Sequence, residues 1–296
     1  MGNILTKQFY RQRKDFEDSC AGRDAGLTFP EGVRCSTDIA YADDGIKAHM
    51  LDIYRPEDSQ EKILPVIINV HGGGLIIGNK EFNRYFCALL CKKGFLVYSI
   101  EYRLIPDCLM YDQISDVYMA MDYIKERLAA DGGDSSHVYM AGDSGGACLI
   151  TYANAIQNST NIARAANVTP SGLRINALGL ISGMFYTSRF DKIGLFLPKY
   201  LYGRDYKKTS FAKYVNPENR ELLNSLAPVW LVTSHNDFLR RYTTDFEKAL
   251  TRAEREHELV VFPKNKKLTH AFSVFEPFLP ESSEVIDMMV KYLRKF

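Results

Sequence analysis

Gly142-Asp143-Ser144-Gly145-Gly146 is the stretch on which the reading turns. It follows a largely apolar run, His137 to Ala141, and leads into Ala147-Cys148-Leu149-Ile150. That order predicts a strand, a sharp turn and a helix, with a serine at the tip. The pattern is G-x-S-x-G, a nucleophile elbow. Its turn is strained, so side chains flanking the serine would clash with the neighbouring strand and helix, and glycine is needed there. The hydroxyl is left at a helix N-terminus, where developing negative charge is favoured. Five common residues carry little by themselves; the strand before them and the helix after them supply the weight.

Outward from the elbow, strands and helices alternate. Val66-Ile67-Ile68-Asn69-Val70 is β-branched and nearly all apolar, as expected for a strand buried on both faces of a parallel sheet. Further strands are expected over Phe95–Glu101, Val138–Ala141, Ala177–Ile181, Val229–Thr233 and Glu258–Phe262. Helices are expected over about Lys80–Lys93, Asp112–Ala130, the segment after Ser144, Leu239–Glu256 and Glu281–Phe296, the last capped by Ser282 or Ser283. Before them, Val33–Tyr41 and Ile46–Tyr54 flank the turn Asp43-Asp44-Gly45 and read as an antiparallel hairpin. Residues 1 to about 30 read as one or two helices and a loop. The whole is an α/β chain with a doubly wound, mostly parallel sheet. One segment, Gly183 to Tyr214, is far longer than an ordinary connection. It is rich in Phe and Tyr and carries more Lys and Arg than Asp and Glu. A lid or cap is expected there, with most of the aromatics packing it onto the sheet.

A serine nucleophile needs an oxyanion site, a base and an orienting acid. His71-Gly72-Gly73-Gly74 directly follows the buried strand ending at Val70 and has the form of an oxyanion loop. The patterns of a phosphate cradle, G-x-G-x-x-G and G-x-x-x-x-G-K-[ST], do not occur. The amides of Gly73 and Gly74, with that of Gly145, are the expected donors. In this chain order the acid precedes the histidine. Asp237 and His270 follow successive strands, where loops meet the ligand-binding edge of an α/β sheet. Of the other histidines, His49, His71 and His137 read as structural and His257 as a solvated helix end. His235 precedes the acid, the wrong order. Asp245 reads as a solvated helical residue.

Composition narrows the rest. The 296 residues carry a formal net charge of +1 and are 46% hydrophobic, so nothing pulls the chain globally toward nucleic acid or membrane. No run approaches the ~18 apolar residues of a membrane span, and the N-terminus lacks an apolar core of signal-peptide length. Met1-Gly2-Asn3-Ile4-Leu5-Thr6 fits an acylation pattern, but so short and permissive a match reads as chance. Six cysteines show no zinc spacing and read as reduced, buried thiols in a cytoplasmic protein. No metal or other cofactor is expected.

The two glycine blocks, together with Glu101-Tyr102-Arg103-Leu104-Ile105-Pro106-Asp107, resemble the signatures of the hormone-sensitive-lipase-like family of α/β-hydrolase carboxylesterases. The resemblance spans about residues 30 to 296. It implies an α/β-hydrolase fold with about eight strands, helices on both faces, and a cap built from about residues 1–30 and 183–215 within one domain of residues 1–296. It departs at Leu75, where the family often has an aromatic, and at Phe238-Leu239-Arg240-Arg241, where the family tends to show proline, leucine, any residue and aspartate. The expected activity is hydrolysis of short-to-medium acyl or aryl esters through an acyl-enzyme, with Ser144, His270 and Asp237 as nucleophile, base and acid. Amide or formamide hydrolysis, or sugar-ester deacetylation, would use the same residues. A non-catalytic binding protein is the reading from another class; such proteins typically lose the serine or histidine, and here both are present. The expected partner is a small ester, with a homodimer compatible with the sequence.

Overall fold

Alternation along single strands explains why helices must cover both faces of the sheet. In a computed structural model describing residues 2–59 and 62–296, the strand Leu64–Val70 sends Val66, Ile68 and Val70 into one hydrophobic cluster and Ile67 into another. The strands at Gly133–Asp143 and Val229–Ser234 split their side chains the same way. A strand with both faces apolar is stable only between two layers.

The described residues form eight strands in one sheet: β1 Val33–Ala40, β2 Met50–Pro56, β3 Leu64–Val70, β4 Leu96–Ile100, β5 Gly133–Asp143, β6 Ala177–Ile181, β7 Val229–Ser234 and β8 His257–Phe262. Their spatial order is β1-β2-β4-β3-β5-β6-β7-β8. β1 pairs antiparallel with β2, and β2 with β4; every later pairing is parallel. The helices are α1 Gly2–Asp24, α2 Arg84–Lys92, α3 Met110–Arg127, α4 Ser144–Gln157, α5 Thr160–Ala166, α6 Lys192–Phe196, α7 Pro198–Leu201, α8 Arg220–Asn224, α9 Arg240–Arg252, α10 Phe272–Phe275 and α11 Pro280–Leu293. Side chains of α3, α4 and α9 fill one face's cluster, and those of α2 and α11 fill the other's.

Several expectations need correction. The second hairpin strand begins at Met50, because Ile46–His49 turn; there His49 closes onto Asp44 at 2.6 Å. β5 starts at Gly133, five residues early, because Leu64 of β3 pairs with Gly133 across a bulge. The last helix is entered through Leu279 and Pro280. Ser282 lies inside its first turn and donates to the carbonyl of Glu276, so it is not the cap. His257 opens β8 and is half-buried on the carbonyl of Arg255, not a solvated helix end. Asp245 is half-buried and pairs with Arg189 at 2.9 Å. Three short helices, α5, α8 and α10, were not anticipated. The acylation pattern begins at Met1, which lies outside the described residues.

The segment 183–214 carries α6, α7 and two 3₁₀ turns. Its Phe185, Tyr186, Tyr202, Phe211 and Tyr214 are buried, as packing of the segment onto the sheet requires. Phe185 stacks on Phe246 of α9 at 4.2 Å, and Phe9 of α1 meets Tyr200 edge-on at 5.2 Å. α1 is also tied to the body by Arg13. Its guanidinium donates to the carbonyls of Ile76, Leu104 and Ile105 and to Asp107.

Candidate active site

Ser144 begins α4 with φ +49, a left-handed conformation that non-glycine residues rarely adopt. The close packing around it explains the glycines. A Cβ on Gly146 would lie 2.1 Å from the carbonyl oxygen of Val70, and one on Gly145 would lie 2.9 Å from the amide nitrogen of Gly74. The elbow therefore presses directly against the glycine loop 71–74. Gly73, Gly74 and Leu75 all have positive φ, so that loop reverses sharply beside Ser144. Among the described residues, no hydrogen-bond acceptor takes the amide of Gly73 or Gly74. Both remain available to a ligand.

Three groups hold the loop and the elbow together. The Asp143 carboxylate accepts from the amide of Gly72 at 3.0 Å and from Asn83 Nδ2 at 2.9 Å. Burial pushes this carboxyl above its ordinary range, against the Asn83 hydrogen bond. His71 stacks on Tyr102 at 4.3 Å, and both its ring nitrogens face acceptors, Glu101 at 3.0 Å and the Gly72 carbonyl at 2.9 Å. Burial alone would lower its pKa; the Glu101 carboxylate outweighs burial and raises it. Gln113 Nε2 donates to the carbonyl of Leu75 at 3.1 Å, fixing the turn that follows the glycines.

The expected base and acid converge on the serine. His270 Nε2 lies 2.9 Å from Ser144 Oγ, and His270 Nδ1 lies 2.8 Å from Asp237 Oδ1. Asp237 is buried and well supplied with donors. It accepts from the Leu239 amide at 2.8 Å and from Thr233 Oγ1 at 2.8 Å. Burial by itself would raise its pKa, but the hydrogen bond and charge of His270, with donors including Ser182 and Leu239, hold the carboxyl below its ordinary value. Such an arrangement can orient an imidazole tautomer and stabilise an imidazolium.

Residues 67–273, over half of the chain, match a protein family described as the α/β hydrolase fold. The chain belongs to this α/β hydrolase fold family. The match agrees with the resemblance carried by the two glycine blocks. Among curated relatives, a probable isoprenylcysteine α-carbonyl methylesterase of Oryza sativa subsp. japonica is 29% identical over 184 residues, covering 58% of this chain and 44% of the relative. The isoprenylcysteine α-carbonyl methylesterase of Arabidopsis thaliana is 25% identical over 278 residues, covering 90% of this chain and 63% of the relative. The chain thus spans less than two thirds of each. Esterase B of Lactobacillus rhamnosis superposes with a TM-score of 0.92 at 22% identity, over 100% of this chain and 96% of that one. The same esterase inhibited by a tributyrin phosphonate superposes equally well. At this identity the likeness speaks for the fold.

Within this hydrolase-fold chain the competing residues fall away on geometry. His235 is exposed and meets Arg240 at 2.8 Å. His137 pairs with Asp134, and His49 lies between Asp44 and Asp116. Ser182 was not anticipated. It follows β6 with φ +50, is buried, accepts from the Ala271 amide at 3.1 Å and helps to lower the Asp237 carboxyl's pKa. A lone serine after a short strand carries no signal in a single sequence, so nothing marked it. Asn83, Gln113 and Arg13 were equally silent, each an ordinary polar residue in a helical stretch. Phe238, one of the departures from the family pattern, lies with its ring 4.4 Å from that of His270.

Proposed function

We propose that this chain is a serine carboxylesterase acting on short-to-medium acyl or aryl esters. The observation that carries the reading is the unbroken relay from Ser144 Oγ through His270 to the buried Asp237, at 2.9 and 2.8 Å. Ser144 attacks the ester carbonyl as His270 Nε2 takes its proton. The tetrahedral oxyanion is received by the amides of Gly73, Gly74 and Gly145. Each such donor is worth roughly 10²–10³ in rate. His270 then protonates the departing alcohol, leaving Ser144 acylated. Water, deprotonated by the same imidazole, attacks the acyl-enzyme and releases the acid. Every proton and charge in this scheme is carried by the chain's own groups.

The small-ester preference is supported by the tributyrin phosphonate of the similar esterase B and by relatives named methylesterases. In this reading, α1 and the segment 183–215 form the cap of a single catalytic domain. Free thiols at all six cysteines accord with a reducing, cytoplasmic setting.

The test is hydrolysis of p-nitrophenyl butyrate beside labelling by a fluorophosphonate. Ser144→Ala is expected to lose both, with kcat/KM down on the order of 10⁴-fold or more. Equal turnover by wild type and Ser144→Ala would overturn the assignment, and failure of folded wild type to label would favour a binding protein.

A further inference from the structure

The surface around the Ser144 site combines exposed large apolar side chains with a rim of cations. Phe190 is 93% exposed, Phe238 75% and Ile4 74%; Leu195 and Phe196 are also exposed. They belong to one neighbourhood. Phe238 lies against His270 and is followed within two residues by α9. Phe190 is pinned to that helix on both sides. Arg189 pairs with Asp245 at 2.9 Å, and Asp191 accepts from Tyr242 at 2.5 Å. Asp191 also caps α6, which carries Leu195 and Phe196. Beyond α6, Tyr200 packs against Phe9 of α1, placing Ile4 little more than a helical turn away.

The charge of this neighbourhood differs from that of the whole. Residues 183–214 hold seven Lys and Arg against two Asp, although the chain's net charge is +1. Of those two acids, Asp191 is used in the cap and Asp205 pairs with Lys208; Arg189 and Lys213 are taken by Asp245 and Glu221, so Lys192, Lys199, Arg204 and Lys207 are the cations of this segment without an acidic partner among the described residues. Residues 2–14 of α1 hold four Lys and Arg; Arg13 is used on Asp107 and Arg11 pairs with Asp15, which leaves Lys7 and Lys14 to the rim. Exposed Arg241, 3.6 Å from Asp245, follows Phe238 in sequence, and exposed Lys266 and Lys267 precede His270.

We propose that this face docks onto an anionic lipid bilayer, with the apolar tips entering the headgroup boundary and the site mouth turned toward the membrane. Exposed aromatics rimmed by Lys and Arg match the chemistry of interfacial binding. Each cation near an anionic leaflet strengthens association about fivefold. A second copy is a poor occupant, since two such faces would bring like-charged rims together. A small acidic ester is also a poor one, since it would not cover rings as exposed as Phe190. The proposal concerns the face and not turnover, so it stands apart from the esterase reading.

The test is co-sedimentation of the full chain with phosphatidylserine–phosphatidylcholine vesicles and with phosphatidylcholine alone. The expected result is binding to the anionic vesicles, weakened at least tenfold by raising salt to about 0.5 M. Two variants separate the contributions: Phe190→Ser with Phe196→Ser, and Lys192→Glu with Lys199→Glu. Each is expected to lower vesicle affinity at least tenfold and to leave p-nitrophenyl butyrate turnover within twofold. Ser144→Ala is expected to bind vesicles as wild type does. Failure to bind anionic vesicles at low salt would overturn the proposal, as would variants that bind like wild type. So would a dimer in sedimentation velocity that the Phe190→Ser variant dissolves, because it would make a second copy the occupant.

Discussion

At the scale of single residues, Ser182 is the most informative addition to the Ser144, His270 and Asp237 constellation. Its hydroxyl accepts from the amide after His270 at 3.1 Å and helps to hold the Asp237 carboxyl below its ordinary value, so one side chain bears on both residues. Its φ of +50 is a conformation that glycine adopts without strain. Two substitutions therefore separate hydroxyl from backbone. Ser182→Gly keeps the turn and removes the hydroxyl, and is expected to lower kcat/KM about 10- to 100-fold with little change in melting temperature. That is the worth of a hydrogen bond to a charged group, about 1.5–3 kcal/mol. Ser182→Ala removes the hydroxyl and keeps the strain, and is expected to lose melting temperature as well. Steady-state kinetics on a soluble ester beside calorimetry would check this; full activity in Ser182→Gly would reduce the residue to a turn former. Asp237 behaves differently with pH. Its native pKa lies below 3.8, so its stabilising contribution is complete above about pH 3.8 and is lost as pH falls through the lowered native value.

At the scale of elements, two attachments join the glycine loop and the turn after it to the rest of the fold, beside those of Asp143 and Gln113. One is the buried His71–Glu101 pair. The native pKa of His71 lies above 6.5, so folding binds its proton more tightly than the unfolded chain does. Its stabilisation is present below about pH 6.5 and is lost as pH rises through the raised native value. The melting-temperature advantage of wild type over His71→Gln is therefore expected to be largest near pH 6 and to narrow toward pH 9. An advantage that grows with pH would contradict a raised native pKa for His71. The other attachment is Arg13, which joins α1 to the carbonyls of Ile76, Leu104 and Ile105. Arg13→Ala removes the donor to three carbonyls and is expected to weaken the docking of α1 by about 1–3 kcal/mol. Limited trypsin digestion would show faster cleavage within α1.

These elements also show what a single sequence carries. β3, β6 and β7 were legible because a continuous apolar run has few other uses in an alternating chain. The convergence of Asp237 and His270 on Ser144 was legible because chain order and strand ends left few rivals. The start of β5 was not, because Gly133–His137 are polar and become strand only by pairing with the neighbouring β3. Asn83, Gln113 and Ser182 act through partners 60, 38 and 89 positions away, and no local pattern encodes such distances.

At the scale of the whole molecule, these differences imply unequal stability. The sheet is buried on both faces by helices, while α1 is attached from one side only, by Tyr10 and Arg13 on Asp107, Arg23 on the carbonyl of Phe82, Asp24 beside Arg84, and aromatic contacts such as Phe9–Tyr200 and Phe16–Phe82. Segments with few buried contacts open at a lower free-energy cost than the core. The chain supplies its own reporter, because its single tryptophan, Trp230, is fully buried in β7. Tryptophan emission should therefore stay native until the sheet unfolds. In a guanidinium titration, proteolytic cleavage of α1 and loss of ester turnover are expected at lower denaturant than the red shift of Trp230. Arg13→Ala should move the first transition and leave the second in place, because the hydrogen bonds of Arg13 go to Ile76, Leu104, Ile105 and Asp107, none of them in the strand that carries Trp230. Coincident transitions in wild type, or equal shifts of both in Arg13→Ala, would mean that α1 unfolds as one unit with the sheet.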